Sequence, residues 1–115
     1  MAGPCIFCAI VDREAQADIV HESDHVLAFR DTNPQAPTHI LLIPKEHVPS
    51  VRELGDEHAA VLSELVRAAA HLAKAERIDK EGWRLVTNVG TAAGQTVGHL
   101  HFHLLGGRQM RWPPG

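Results

Sequence analysis

Apolar positions recur along this chain at two different periods. From Asp56 to about Arg77, Leu62, Leu65, Val66, Ala69, Leu72 and Ala73 follow the three-and-four spacing of one buried helical face. Asp56 is the expected N-cap of this helix, with Glu57 well placed against the dipole of its first turn. A shorter amphipathic helix is predicted over residues 5–14, where Ile6, Phe7, Ile10 and Val11 share a face.

Elsewhere the period shortens to two. Residues 19–22 and 25–30 form two β-like runs around Ser23 and Asp24, the pattern of a hairpin. Asp31-Thr32-Asn33-Pro34, with Pro37 close behind, marks a turn before a mostly apolar strand over residues 38–43. Pro44 and Pro49 bracket a loop carrying Lys45 and His47, and Ser50-Val51-Arg52-Glu53 has the form of a capping box for one short turn. After the long helix, residues 83–88 alternate as a strand, residues 90–98 are a glycine-rich loop, and residues 99–105 are the last strand before an irregular tail. The sum is a single α+β domain over residues 1–115, with five strands in a mainly antiparallel sheet, one long helix and one short.

Composition narrows the choice of function. A chain of 115 residues supports one core with little to spare, so association with a second copy would stabilise it. Eleven Lys and Arg against 14 Asp and Glu leave no basic stripe to attract nucleic acid. With no leader-like segment and no apolar run long enough to span a bilayer, the expected location is the cytoplasm and no membrane partner is expected. Two cysteines, Cys5 and Cys8, are too few for a disulfide framework, but their spacing suits half a metal site or a redox pair.

Nine histidines are the unusual feature. In an extended strand His99, His101 and His103 project to one side, and Leu100, Phe102 and Leu104 to the other. Three adjacent imidazoles repel if all are protonated, so some stay neutral near pH 7, free to act as nucleophile, base or metal ligand. Two chemistries fit: a catalytic metal, or metal-free transfer in which one imidazole attacks. The neighbouring Gly94-Gln95-Thr96-Val97-Gly98 run offers backbone amides and a hydroxyl to an anion, and Asn88 offers an amide, which favours a bound phosphate. His21, His25, His58 and His71 belong to no constellation and are expected on the surface.

The run His99-Leu100-His101-Phe102-His103-Leu104-Leu105 resembles the signature of the histidine triad superfamily. The resemblance to its histidine triad nucleotide-binding branch extends over Cys5-Ile6-Phe7-Cys8, Phe29-Arg30-Asp31, the Pro34 to His39 run, Ile43-Pro44-Lys45, Val86-Thr87-Asn88, Gly94-Gln95-Thr96 and the ending from Gly106 to Gly115. It implies a two-fold homodimer joining two five-stranded sheets, with the tail from about residue 106 contributing to dimer and active site. It also implies a purine nucleoside phosphoramidase or aminoacyl-adenylate hydrolase. His101 would attack the α-phosphorus, and water would then release a nucleoside monophosphate such as AMP. The His99 carbonyl would orient His101, while His103, Asn88 and Thr96 would contact phosphate or leaving group and His39 would support the triad. Thr96 stands where the family commonly has serine. Asp31 would hold the ribose, Ile6, Phe7, Ile10 and Phe29 the purine, Gly94, Gln95 and Val97 the phosphate loop, and Trp112 the leaving-group side in the partner subunit. Ordinary core packing for the four apolar residues, and turn capping for Asp31, are the plainer roles.

The same resemblance implies one structural zinc per chain, held by Cys5, Cys8, His47 and His99, and no catalytic metal. Reduced buried thiols and a redox pair remain open for the cysteines. For the whole protein, a diadenosine polyphosphate hydrolase and a nucleotide-binding interaction module are the competing functions.

Overall fold

The computed structural model describes residues 5–115; residues 1–4 of the expected domain lie outside it. Helix α1 (Ile6–Val11) leads into strands β1 (Ile19–Glu22), β2 (Val26–Arg30) and β3 (Thr38–Pro44), then helix α2 (Ala59–Ala75), strand β4 (Trp83–Val86) and strand β5 (Phe102–Gly106). The five strands form one sheet in the order β1-β2-β3-β5-β4, every neighbouring pair antiparallel. The α+β reading and the strand count are borne out.

Alternation along the strands builds two layers. Val26, Ala28, Ile40, Leu42, Leu100 and Leu104 face α2 and pack on its Leu65, Ala68, Ala69, Leu72 and Ala73. The intervening Leu27, Phe29, Leu41 and Ile43 face the other way, onto Phe7 and Ile10 of α1. β3, at the centre, is buried along its whole length. A fork from Arg30 to Glu76, with nitrogen–oxygen distances of 2.8 and 3.0 Å, ties β2 to the end of α2.

Several boundaries differ from the pattern for local reasons. A 3-10 turn (Asp56–His58) precedes α2, and Gly55, not Asp56, is its N-cap. His58, expected on the surface, is buried there: its Nδ1 accepts the Gly55 amide at 2.9 Å, a side chain doing the work of a cap. Val66, expected in the core, is 44% exposed, and Ala68 takes its place on the buried face. α2 stops at Ala75 because Arg77 turns left-handed (φ +62°), letting the Ile78 amide reach back to the Ala73 carbonyl. No glycine marks that end, which falls two residues before the predicted one at about Arg77. α1 ends at Val11 through a left-handed Arg13 in the same way.

β5 begins at Phe102, three residues later than expected, because the backbone of residues 99–101 is bonded elsewhere. The Leu100 amide donates to the Val48 carbonyl at 2.6 Å, and the His101 carbonyl accepts the Thr87 hydroxyl at 2.8 Å. β4 correspondingly ends at Val86.

Candidate active site

His99, His101 and His103 emerge on the α1 face, as the alternation requires. Phe7 packs edge-on against His99 and His101, with ring centroids 5.9 and 5.2 Å apart. His39 of β3 joins them: it pairs with Leu105 in the ladder, which makes His103 its diagonal neighbour.

The hydrogen bonds assign a proton to each ring. His101 Nδ1–H donates to the His99 carbonyl at 2.7 Å, leaving the Nε2 lone pair free. The Gln35 amide donates to His39 Nδ1 at 2.9 Å, so a neutral His39 carries its proton on Nε2. That proton is given to His103 Nδ1 at 2.9 Å, which leaves the His103 proton on Nε2 as a donor. His99 Nε2–H donates to the Pro44 carbonyl at 2.9 Å, so its Nδ1 bears the lone pair. Four imidazoles thus hold four defined states.

Burial favours the neutral form of three of these rings, His103, His39 and His99. Burial pushes His103 down to about 4, the neighbouring His101 and His39 push the same way, and Asp31 opposes them. Burial also lowers His39, again against Asp31. His99 is wholly buried and lowered by that burial, while its bond to Pro44 opposes the shift.

Cys5, Cys8, His47 and His99 converge on one point, with all four donor atoms within 4.8 Å of one another. His99 Nδ1 lies 3.4 Å from Cys5 Sγ, 3.6 Å from Cys8 Sγ and 3.2 Å from His47 Nδ1, and Cys8 Sγ is 3.3 Å from His47 Nδ1. A tetrahedral zinc with ordinary bond lengths separates two nitrogens by about 3.4 Å and a nitrogen from a sulfur by about 3.6 Å. The donor set and its spacing therefore fit zinc. Burial, and then the neighbouring Cys5 and Asp12, push the Cys8 thiol up to about 11, so a thiolate there calls for a cation. Asp31, His39 and His103 also cluster, but their 2.9 Å nitrogen pair is a hydrogen bond, shorter than a ligand edge.

The remaining sequence-selected residues fall into two groups. Phe7, Ile10 and Phe29 are buried in one cluster with Val97 packed against it, and Phe7 and Phe29 meet edge-on at 5.4 Å. Ile6 stands at the rim, 51% exposed. Asp31 caps its turn by accepting the Asn33 amide at 2.8 Å, and its other oxygen lies 3.4 Å from His39 Nε2. Gly90 and Gly94 take positive φ (+85° and +88°), which lets the glycine loop fold tightly. Gln95 is spent on that loop: its oxygen accepts the Gly90 amide, and its nitrogen donates to the Pro49 and Val97 carbonyls. Thr96 is exposed, lining a hollow with Ser50, Arg52 and Thr91. Asn88 follows β4, two residues after Val86, the last residue paired with β5 through His103. Trp112 is 82% exposed on the tail. Sequence reasoning gave no role to Thr87 or the Pro44 carbonyl, which hold triad residues, or to the Gln35 amide, which holds His39; only the Val-Thr-Asn strand end pointed toward the first.

The chain as a whole is similar to known proteins. A family model for the HIT domain matches residues 12–110, and the chain belongs to that family. Its relatives include a purine nucleoside phosphoramidase of Escherichia coli, 46% identical over 96% of this chain and 92% of that one. A 14 kDa zinc-binding protein of Zea mays is 46% identical over 97% of this chain and 88% of its own. The crystal structure of a HIT family hydrolase from Legionella pneumophila superposes with a TM-score of 0.96 at 48% identity, covering 97% of this chain and all of that one. Among the described residues, no helix is long and apolar enough to cross a membrane.

Proposed function

We propose that the protein hydrolyses purine nucleoside phosphoramidates and aminoacyl adenylates, releasing a nucleoside monophosphate such as AMP. The observation that carries this reading is the bond from His101 Nδ1–H to the His99 carbonyl, which leaves Nε2 as a nucleophile beside neutral neighbours. His101 Nε2 attacks the α-phosphorus, forming one phosphorus–nitrogen bond as the bond to the amine or acyl group breaks. Water then displaces His101, forming a phosphorus–oxygen bond and freeing the nucleotide.

The other residues position and stabilise. His103 presents its Nε2–H to a phosphoryl oxygen or the leaving group, and His39 fixes that proton. Asn88, Thr96 and the Gly94 turn add donors around the phosphate, with Gln95 shaping the turn. Asp31 takes the ribose hydroxyls, and Ile6 with the Phe7, Ile10, Phe29 and Val97 cluster forms the wall for the base. The phosphoramidase relative supports this substrate class.

We also assign one structural zinc to Cys5, Cys8, His47 and His99, a reading that the donor spacing and the zinc-binding relative support. Bound there, zinc would supply a cross-link among α1, the loop after β3 and the approach to β5. A homodimer is the proposed assembly: Val66 on the outer side of α2, the edge of β4 left unpaired among the described residues and the exposed Trp112 are surfaces that a second copy would cover.

The test is AMP release from adenosine 5′-phosphoramidate by wild type and His101→Ala. Turnover by the wild type and a fall of about a thousandfold or more in the variant are expected, as for loss of a nucleophile. Binding of AMP without turnover by either protein would make this a binding module. Sedimentation of the same sample is expected to give two chains per particle, and a 12.6 kDa species at micromolar concentration would contradict the dimer.

A further inference from the structure

We infer that Cys5, Cys8 and His47 are positioning residues for the nucleophile, acting on His101 through His99; this rests on the zinc and nucleophile readings above. His99 belongs to both constellations at once. Its Nδ1 faces the two sulfurs and His47, its Nε2–H is held by the Pro44 carbonyl, and its own carbonyl accepts the His101 Nδ1–H. The ring is wholly buried with both nitrogens engaged, so it cannot reorient alone.

The backbone makes the coupling direct. Residues 99–101 precede the β5 ladder, so sheet pairing does not aim the His99 carbonyl. Its direction is set by the ring below it and by the bond from the Leu100 amide to the Val48 carbonyl. Val48 is the neighbour of His47, so the two loops are joined at adjacent points, once by hydrogen bond and once through the Cys/His cluster. α1 is tied in as well: Cys5 Sγ accepts the Cys8 amide at its start, and Phe7, one residue before Cys8, packs on His101. Hydrogen bonds join these four groups only pair by pair, whereas one bound zinc would join all four. A filled cluster therefore holds the His99 carbonyl where it selects the Nδ1–H form of His101, and a broken one releases that selection.

His47 is the cluster member to change, because it is exposed and lies outside α1. Four quantities are compared in wild type, His47→Ala and His47→Cys: zinc per chain after reconstitution with zinc alone, kcat and KM on adenosine 5′-phosphoramidate, and the ¹⁵N shifts of His101. In the wild type His101 is expected as a pure Nδ1–H tautomer with about one zinc per chain. His47→Ala is expected to lose zinc, to average the two His101 nitrogen shifts, and to lower kcat about tenfold to a hundredfold, the range for a slightly misaimed reactant, with KM within about threefold. His47→Cys, which keeps a zinc-competent Cys₃His set, is expected to restore all of these. Should His47→Ala fail to fold, wild type stripped by chelator and reloaded with zinc decides on the same readouts.

A zinc-free protein with unchanged kcat and an unchanged His101 tautomer would overturn the coupling and leave the zinc assignment standing. A wild type that binds no zinc would overturn both. Full activity in His101→Ala would instead remove the nucleophile reading, and is separable because the ¹⁵N shifts report on the ring itself.

Discussion

The two faces of the sheet are made from alternate residues of the same strands, yet they are held by different forces. On the α2 face Leu42, Leu65, Leu100 and Leu104 are almost wholly buried and contribute non-directional burial, roughly 1.5–3 kcal/mol for each side chain. On the α1 face the same alternation delivers His99, His101, His103 and His39, whose positions depend on hydrogen bonds of defined direction. The first face needs only shape and apolarity. The second needs each proton on a particular nitrogen, and it obtains this from backbone groups: the Gln35 amide and the His99 and Pro44 carbonyls. One layer supplies stability, and the other uses that rigidity to hold a reactive ring.

The comparison is broken most strongly at His101. His101→Ala is expected to remove about a thousandfold or more of the activity. Its effect on Tm is expected to be smaller than that of any large α2-face truncation, checked by thermal unfolding. The converse change, Leu104→Ala, leaves a cavity between β5 and α2 and is expected to cost about 2–5 kcal/mol of stability in denaturant titration. Activity per folded molecule is expected to stay within about threefold. A Leu104→Ala protein that unfolds no more readily than wild type would contradict the division between the faces.

A smaller and graded effect comes from pH. His103 is lowered to about 4 and His39 is also lowered, so the unfolded chain binds protons on these groups that the folded chain refuses. Stability contributed by the neutral rings is present above the ordinary histidine value near 6.5 and is lost as pH falls toward 4. Denaturant titrations across that window are expected to show a decline that His103→Gln reduces; an identical slope in that variant would show that another group sets it.

The sequence made the division between the faces legible because period-two alternation is geometric. His99, His101 and His103 share a face whenever the backbone is extended, even though the ladder proper starts at Phe102. The five strands were readable for the same reason, and the two helices from their three-and-four spacing. What was not readable depends on contacts distant in sequence. Thr87 holds the His101 carbonyl across 14 residues, and Gln35 sets the His39 proton through a backbone amide that any residue would supply. His58 looked like a surface residue because nothing local shows that its ring folds back onto the Gly55 amide. Val66 fits the helical spacing yet lies outside the core, since spacing gives the direction of a stripe and not its width. The Cys/His cluster was legible in two ways: Cys5 and Cys8 announce themselves by spacing, whereas His47 and His99 were named only through the family resemblance, and the fold brings all four together.

The most direct test of the central claim, that His101 Nε2 is the attacking atom, is a single-turnover reaction. Wild type in excess over adenosine 5′-phosphoramidate is quenched at short times, and the protein is digested and mapped by mass spectrometry. The account predicts a transient nucleotidyl group on the peptide containing His101, formed before AMP appears and absent from His101→Ala. Steady release of AMP by wild type with no protein-bound nucleotide at any time, under conditions that preserve a phosphorus–nitrogen bond, would contradict it.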